Sequence, residues 1–169
     1  MAGALLQLVL GIPLAHLEAE TPPSAAIVVL NVLNHLLLMA GLAALGRSGA
    51  AGRSLLAAVG LPLAQLGFVV IVVAEVSWLL NTAATDTLFG LGTLALLLGL
   101  TVAGAAVVRA GRWRGWHRYT ALACGVFIAL VLLPSFALPG YASHYAIGTW
   151  GVCWLLLGLA LRAETARAS

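Results

Sequence analysis

Long apolar runs separated by short polar connections dominate the pattern of this chain of 169 residues. Four of them, from about Ser24 to Gly46, Ser54 to Leu80, Thr87 to Val108 and Tyr119 to Leu138, reach the ~20 residues that a helix needs to cross a hydrocarbon layer about 30 Å thick. A fifth run, from about Ala142 to Leu161, is equally apolar and carries His144 near its start. The N-terminal run, Ala2 to Leu17, is shorter and is broken by Pro13. It lacks both the basic leading segment and the A-x-A cleavage site of a signal peptide, so it is expected to be a short or tilted first span. The predicted fold is all-α: a polytopic integral membrane bundle of six transmembrane helices, or five if the first run does not cross. It is expected to form a single membrane domain over residues 1–169.

Composition sharpens this picture. Of the residues, 63% are hydrophobic and 8% charged, against roughly 45–50% apolar and about 25% charged in a soluble domain. So few charged groups cannot cover a water-soluble fold of this size, which excludes a soluble enzyme and a nucleic-acid-binding module. The two cysteines sit inside apolar runs and form neither a disulfide framework nor a zinc spacing. Every basic residue is Arg, and with the abundance of Ala, Leu and Gly this points to a GC-rich bacterial genome. The expected location is the bacterial cytoplasmic (inner) membrane, crossed several times.

Arginine positions orient the spans. Arg47 and Arg53 flank one connection, Arg109, Arg112, Arg114 and Arg118 fill another, and Arg162 and Arg167 lie in the tail. Alternating spans put all three regions on one side, which the positive-inside rule makes cytoplasmic. Six spans then place the N- and C-termini there too. Five spans with the N-terminus outside satisfy the arginines equally well, so the rule does not test the first run. Glu18, Glu20 and Asp86 fall in the opposite connections. Trp113, Trp116 and Tyr119 mark the inner interface and Trp78, Tyr141 and Tyr145 the outer one. Gly92, Gly99, Gly104, Gly148 and Gly151 are expected at close helix contacts.

Candidate chemistry lies in the polar residues within the spans, because an ionisable side chain in a bilayer is costly. His35 lies ~16 Å into the second span and Glu75 ~7 Å from the outer end of the third, by helical rise. Asn31, Asn34 and His35 share one helical face, and Asn31 lies at the depth of Glu75, within hydrogen-bond reach if the two spans are neighbours. The difference in depth between His35 and Glu75, ~9 Å, argues against their direct contact. Pro62, with Gly60 and Gly67, predicts a kink or break in the third span. Gln65, one turn further on, is expected to repair the freed backbone or to line a cavity. The opposing reading of these residues is interhelical glue.

Other polar residues fall near the outer mouth: His16, Ser77, Asn81, His144 and Tyr145. No H-x3-H, H-E-x-x-H or C-x-x-C-H pattern assigns them a metal or haem, and no cofactor is identified. His117, among Arg and Trp, is expected to be solvated or to meet lipid headgroups, and Cys124 and Cys153 to be small apolar fillers. Trp150 and Trp154 share a face that ordinary helix packing explains.

The functional expectation is a small transporter-like or ligand-binding membrane protein. Its outward-facing polar pocket would be formed by Asn31, Asn34, His35, Gln65 and Glu75, with the Pro62 region as a hinge. The alternative is a non-catalytic subunit or assembly factor of a larger membrane complex, and a more remote one is an intramembrane metal or haem enzyme. No catalytic residue or metal ligand is assigned. The expected surroundings are the lipid bilayer and a membrane protein partner or a second copy of the chain, with no nucleic acid.

Overall fold

The computed structural model describes residues 1–11, 25–138 and 142–168. Pro13, His16, Leu17, Glu18, Glu20, Ser24 and Tyr141 lie outside the described residues. The described chain is helical: α1 (Ala2–Gly11), α2 (Ala25–Arg47), α3 (Leu55–Leu79), α4 (Thr85–Ala110), α5 (Gly115–Ser135) and α6 (Ala142–Ala168). Five of these are long and apolar enough to cross a membrane, and α1 is a shorter apolar helix, giving a multi-pass membrane bundle.

Consecutive helices are neighbours and α6 closes back onto α1, so the six form a ring. Close backbone contacts fix their directions. A Cβ added to Gly60 would stand 2.5 Å from the Ala103 nitrogen and one added to Gly99 2.3 Å from the Ala64 nitrogen, which makes α3 and α4 an antiparallel pair held at backbone distance. Gly92 meets Ile71 in the same seam, and Gly104 meets the Leu122 backbone between α4 and α5. On the other side of the ring Gly11 lies against Gly148, and Gly151 against Ala4 and Leu8. All five glycines expected at helix contacts are therefore found there. The described part of the doubtful first run, α1, is built into the bundle antiparallel to α6.

The turns follow the same economy. Ser54 caps α3 by accepting a hydrogen bond from the Ala57 amide at 3.2 Å. Gly111 ends α4 in the left-handed conformation (φ 62°), which a residue without a Cβ adopts freely. All the arginines gather at one end of the ring, where Arg112 donates to the Gly49 carbonyl at 2.9 Å and joins the α2–α3 and α4–α5 turns.

Two expectations are corrected. The third span is not broken at Pro62, because α3 runs unbroken from Leu55 to Leu79. The irregular helix is instead α5, which widens into a π-turn over Ile128–Leu132 just before Pro134. Pro134 cannot donate to the carbonyl one turn back, and a wider turn adjusts the local hydrogen-bond ladder. His117 is buried, with Nδ1 2.6 Å from Glu164 Oε1, so α6 rather than solvent receives its ring.

Candidate functional site

The end of the ring opposite the arginines encloses a cavity of about 670 Å³. That volume falls within the range of small-molecule sites, roughly 300–1,000 Å³. Every helix contributes to its wall among the described residues. The two spans with intramembrane ionisable groups supply Asn31 and His35 from α2 and Glu75 and Trp78 from α3. Asp86, Phe89 and Thr93 come from α4, Ile128 and Leu132 from the π-turn, Gln7 from α1, and His144 and Trp150 from α6.

His35 and Glu75 meet in this wall, with His35 Nδ1 3.6 Å from Glu75 Oε1. The expectation that their depths keep them apart is thus corrected. Helical rise counts Cα positions, whereas side chains lean toward the N-terminus of their own helix. The N-terminus of α2 lies at the cavity end, so His35 leans outward; that of α3 lies at the arginine end, so Glu75 leans inward. In an antiparallel pair these leanings add, and two long side chains close the remaining gap. Glu75 is 4% exposed, and the His35 ring packs 6.2 Å from Phe68.

The polar face of α2 divides into two. Successive residues on a helix turn by about 100°, so Asn34 and His35 diverge sharply around the axis while Asn31 lies between them. Asn31 and His35 face the cavity. Asn34 is buried and donates its side-chain amide to the Gln7 side-chain oxygen, and Gln7 Nε2 donates in turn to the Ile147 carbonyl at 3.0 Å. This run of bonds ties α2, α1 and α6 together. Gln65 neither lines the cavity nor repairs the backbone near Pro62: its Nε2 donates to the Met39 carbonyl at 3.1 Å and ties α3 to α2.

No family model, curated protein or solved structure matches this chain. The chemistry of the site therefore rests on its own residues. Of the five polar residues singled out, three line the cavity and two join helices beside it. Of the other outer-end residues, His144 and Trp78 reach the wall, while Ser77, Asn81 and Tyr145 do not. Among the described residues, no three His, Cys, Asp or Glu side chains assemble as metal ligands. Cys124 and Cys153 are free thiols. Trp150 and Trp154 are packed edge to face at 5.6 Å, and the Trp150 indole donates to the Cys124 carbonyl at 2.9 Å, closing the bundle core beneath the cavity.

Sequence reasoning missed Gln7, although it is the sole polar side chain between Ala2 and Pro13. Doubt over the first run as a span left it unweighed. Glu164 was missed because a carboxylate between Arg162 and Arg167 reads as solvated surface until α6 is seen to carry it back over His117.

Proposed function

We propose that this chain is a small transporter-like or ligand-binding membrane protein. In this reading it lies in a bacterial cytoplasmic membrane with its arginine end inside, and its cavity opens outward. One observation carries the reading: a 670 Å³ cavity has a buried His–Glu pair in its wall. Burying ionisable groups in a bundle costs more than apolar packing would, so their placement where a ligand can reach them favours binding over glue. His35 and Glu75 are the polar anchor and Asn31 adds an amide beside them. Asn34 and Gln65 act indirectly, by holding α2 against α1 and α3 so that His35 keeps its position.

Native mass spectrometry of the protein extracted gently from its own membrane tests this reading. A small-molecule adduct on the 17.3 kDa chain or its multiples is expected, lost in His35→Ala while the bundle stays folded. If His35→Ala lowers only stability, the pair is glue. A polypeptide adduct at fixed stoichiometry supports the subunit reading instead.

A further inference from the structure

We infer that the cavity also opens sideways into the hydrocarbon, between α4 and α5, and that its ligand is a chain-bearing amphiphile drawn from the half of the bilayer away from the arginines. This rests on the reading of the cavity as a binding site and names the class of its occupant.

The course of the α4–α5 seam supplies the first argument. Toward the arginine end the two helices touch at backbone distance. A Cβ added to Gly104 would stand 2.3 Å from the Leu122 Cα, and one added to Gly125 2.6 Å from the Thr101 nitrogen. Continued along the antiparallel pair, that register sets Gly90 opposite Phe136. Gly90 lies about four turns from Gly104, on nearly the same face of α4. Yet a Cβ added there meets nothing within 4 Å among the described residues. No Cα of Leu133–Ser135 comes within 8 Å of a Cα in α4, whereas this stretch does approach α6. The two helices therefore part toward the cavity end. They part at the π-turn, Ile128–Leu132, whose wider winding redirects the rest of α5.

Position supplies the second. Gly90, Leu133 and Phe136 line the cavity and are also exposed, Phe136 at 55%, so the gap joins the cavity to the outer surface of the ring. By helical rise from Arg109, Gly90 stands ~28 Å along α4, within a hydrocarbon layer about 30 Å thick. An opening at that depth faces acyl chains. Left empty, its walls would lack contacts on one side, and an apolar chain restores them.

The two sides of the cavity supply the third. Around the gap the wall is Phe89, Leu132, Leu133 and Phe136. In the ring α2 stands opposite α5, and there the wall presents Asn31 and His35. A molecule reaching from the gap to α2 meets an apolar surface at one end and hydrogen-bonding groups at the other. An amphiphile matches both: its polar end seats beside Asn31 and His35, and its chain trails through the gap into lipid. A wholly polar solute has no use for the gap. A wholly apolar one would strip water from the polar wall and give no hydrogen bond in return.

Native mass spectrometry of the full chain, extracted gently from its own membrane, tests the inference through variants that plug the gap. Gly90→Trp places a ring in open space with no loss of helix propensity, and Leu133→Trp narrows the gap from α5, so the test survives if one variant fails to fold. Leu98→Trp, at an exposed position of α4 away from the cavity, is the control. Wild type and Leu98→Trp are expected to carry an adduct that organic extraction and fragmentation identify as bearing a long hydrocarbon chain. Its occupancy should fall at least about tenfold in both plugging variants. A chain-bearing adduct retained by the folded plugging variants is surface lipid and overturns the inference; the binding-site reading then stands only if His35→Ala releases a ligand. A small-molecule adduct without a chain also overturns the inference and leaves the binding-site reading in place. With no small-molecule adduct on the wild type, the two fall together.

Discussion

Asn34 of α2 donates its side-chain amide to the side-chain oxygen of Gln7 on α1, joining two helices through polar atoms buried from solvent. Gln7 passes the connection on to the Ile147 carbonyl of α6. The shortest helix among the described residues is therefore fastened on both flanks, and its last described turn forms part of the cavity wall. Helix clamp and candidate site share one element.

Truncating that clamp should cost stability in a characteristic way. Asn34→Ala is expected to destabilise the bundle by about 1–2 kcal/mol, typical of a polar contact between membrane helices. Gln7→Leu should cost a similar amount, and the double variant Gln7→Leu/Asn34→Ala less than the sum of the two singles, because each single leaves the other amide buried. Equilibrium unfolding in detergent measures the three values. Strict additivity would show that the two amides do not interact.

The α3–α4 seam makes a second prediction. Gly99→Val would drive a branched side chain into the Ala64 backbone, and a loss of stability of at least about 2 kcal/mol is expected. Gly41→Ala, where a Cβ meets nothing within 4 Å, should be neutral or stabilising by up to about 1 kcal/mol. Thermal unfolding of the pair of variants checks this contrast, and equal effects would contradict the seam.

At the arginine end, His117 and Glu164 should act as a unit. Each alanine variant is expected to lower Tm, and the double variant should be no less stable than the worse single, since the 2.6 Å contact is lost in all three. Fully additive losses would mean the two side chains contribute separately.

Topology gives a fourth expectation. With Cys124 and Cys153 replaced by alanine, Ser48→Cys and Thr82→Cys should react with an impermeant thiol reagent from opposite faces of sealed vesicles, Ser48→Cys from the cytoplasmic one. Labelling of both from one face would contradict the hairpin, and a reversal of the two faces would contradict the arginine-based orientation.

Much of the architecture was legible in the run lengths, because the bilayer sets span length and leaves short connections little freedom. The glycine contacts were legible for the same reason: Gly99 and Gly104 have no side chain to offer lipid, and the bundle uses them for close approach. Polar contacts between helices were less so. Helical rise alone separated His35 from Glu75, since it ignores the opposed lean of side chains in an antiparallel pair. Gln65 and Asn34 were recognised as bundle-facing, but whether such a residue meets a cavity or a neighbouring carbonyl depends on helix rotation. Small residues spread around every face leave that rotation unmarked in an apolar sequence. Glu164 was hidden by distance along the chain, because its partner His117 is brought to it by two helices and their turns.

The account depends most on the cavity being open to water on the side away from the arginines. Thiol labelling of Thr93→Cys on the α4 wall, beside Leu98→Cys on an exposed apolar position of the same helix, tests this most directly in a background without native cysteines. The account predicts that an impermeant charged maleimide modifies Thr93→Cys from the outer face and leaves Leu98→Cys, facing lipid, unmodified. A Thr93→Cys variant as unreactive as Leu98→Cys would contradict it.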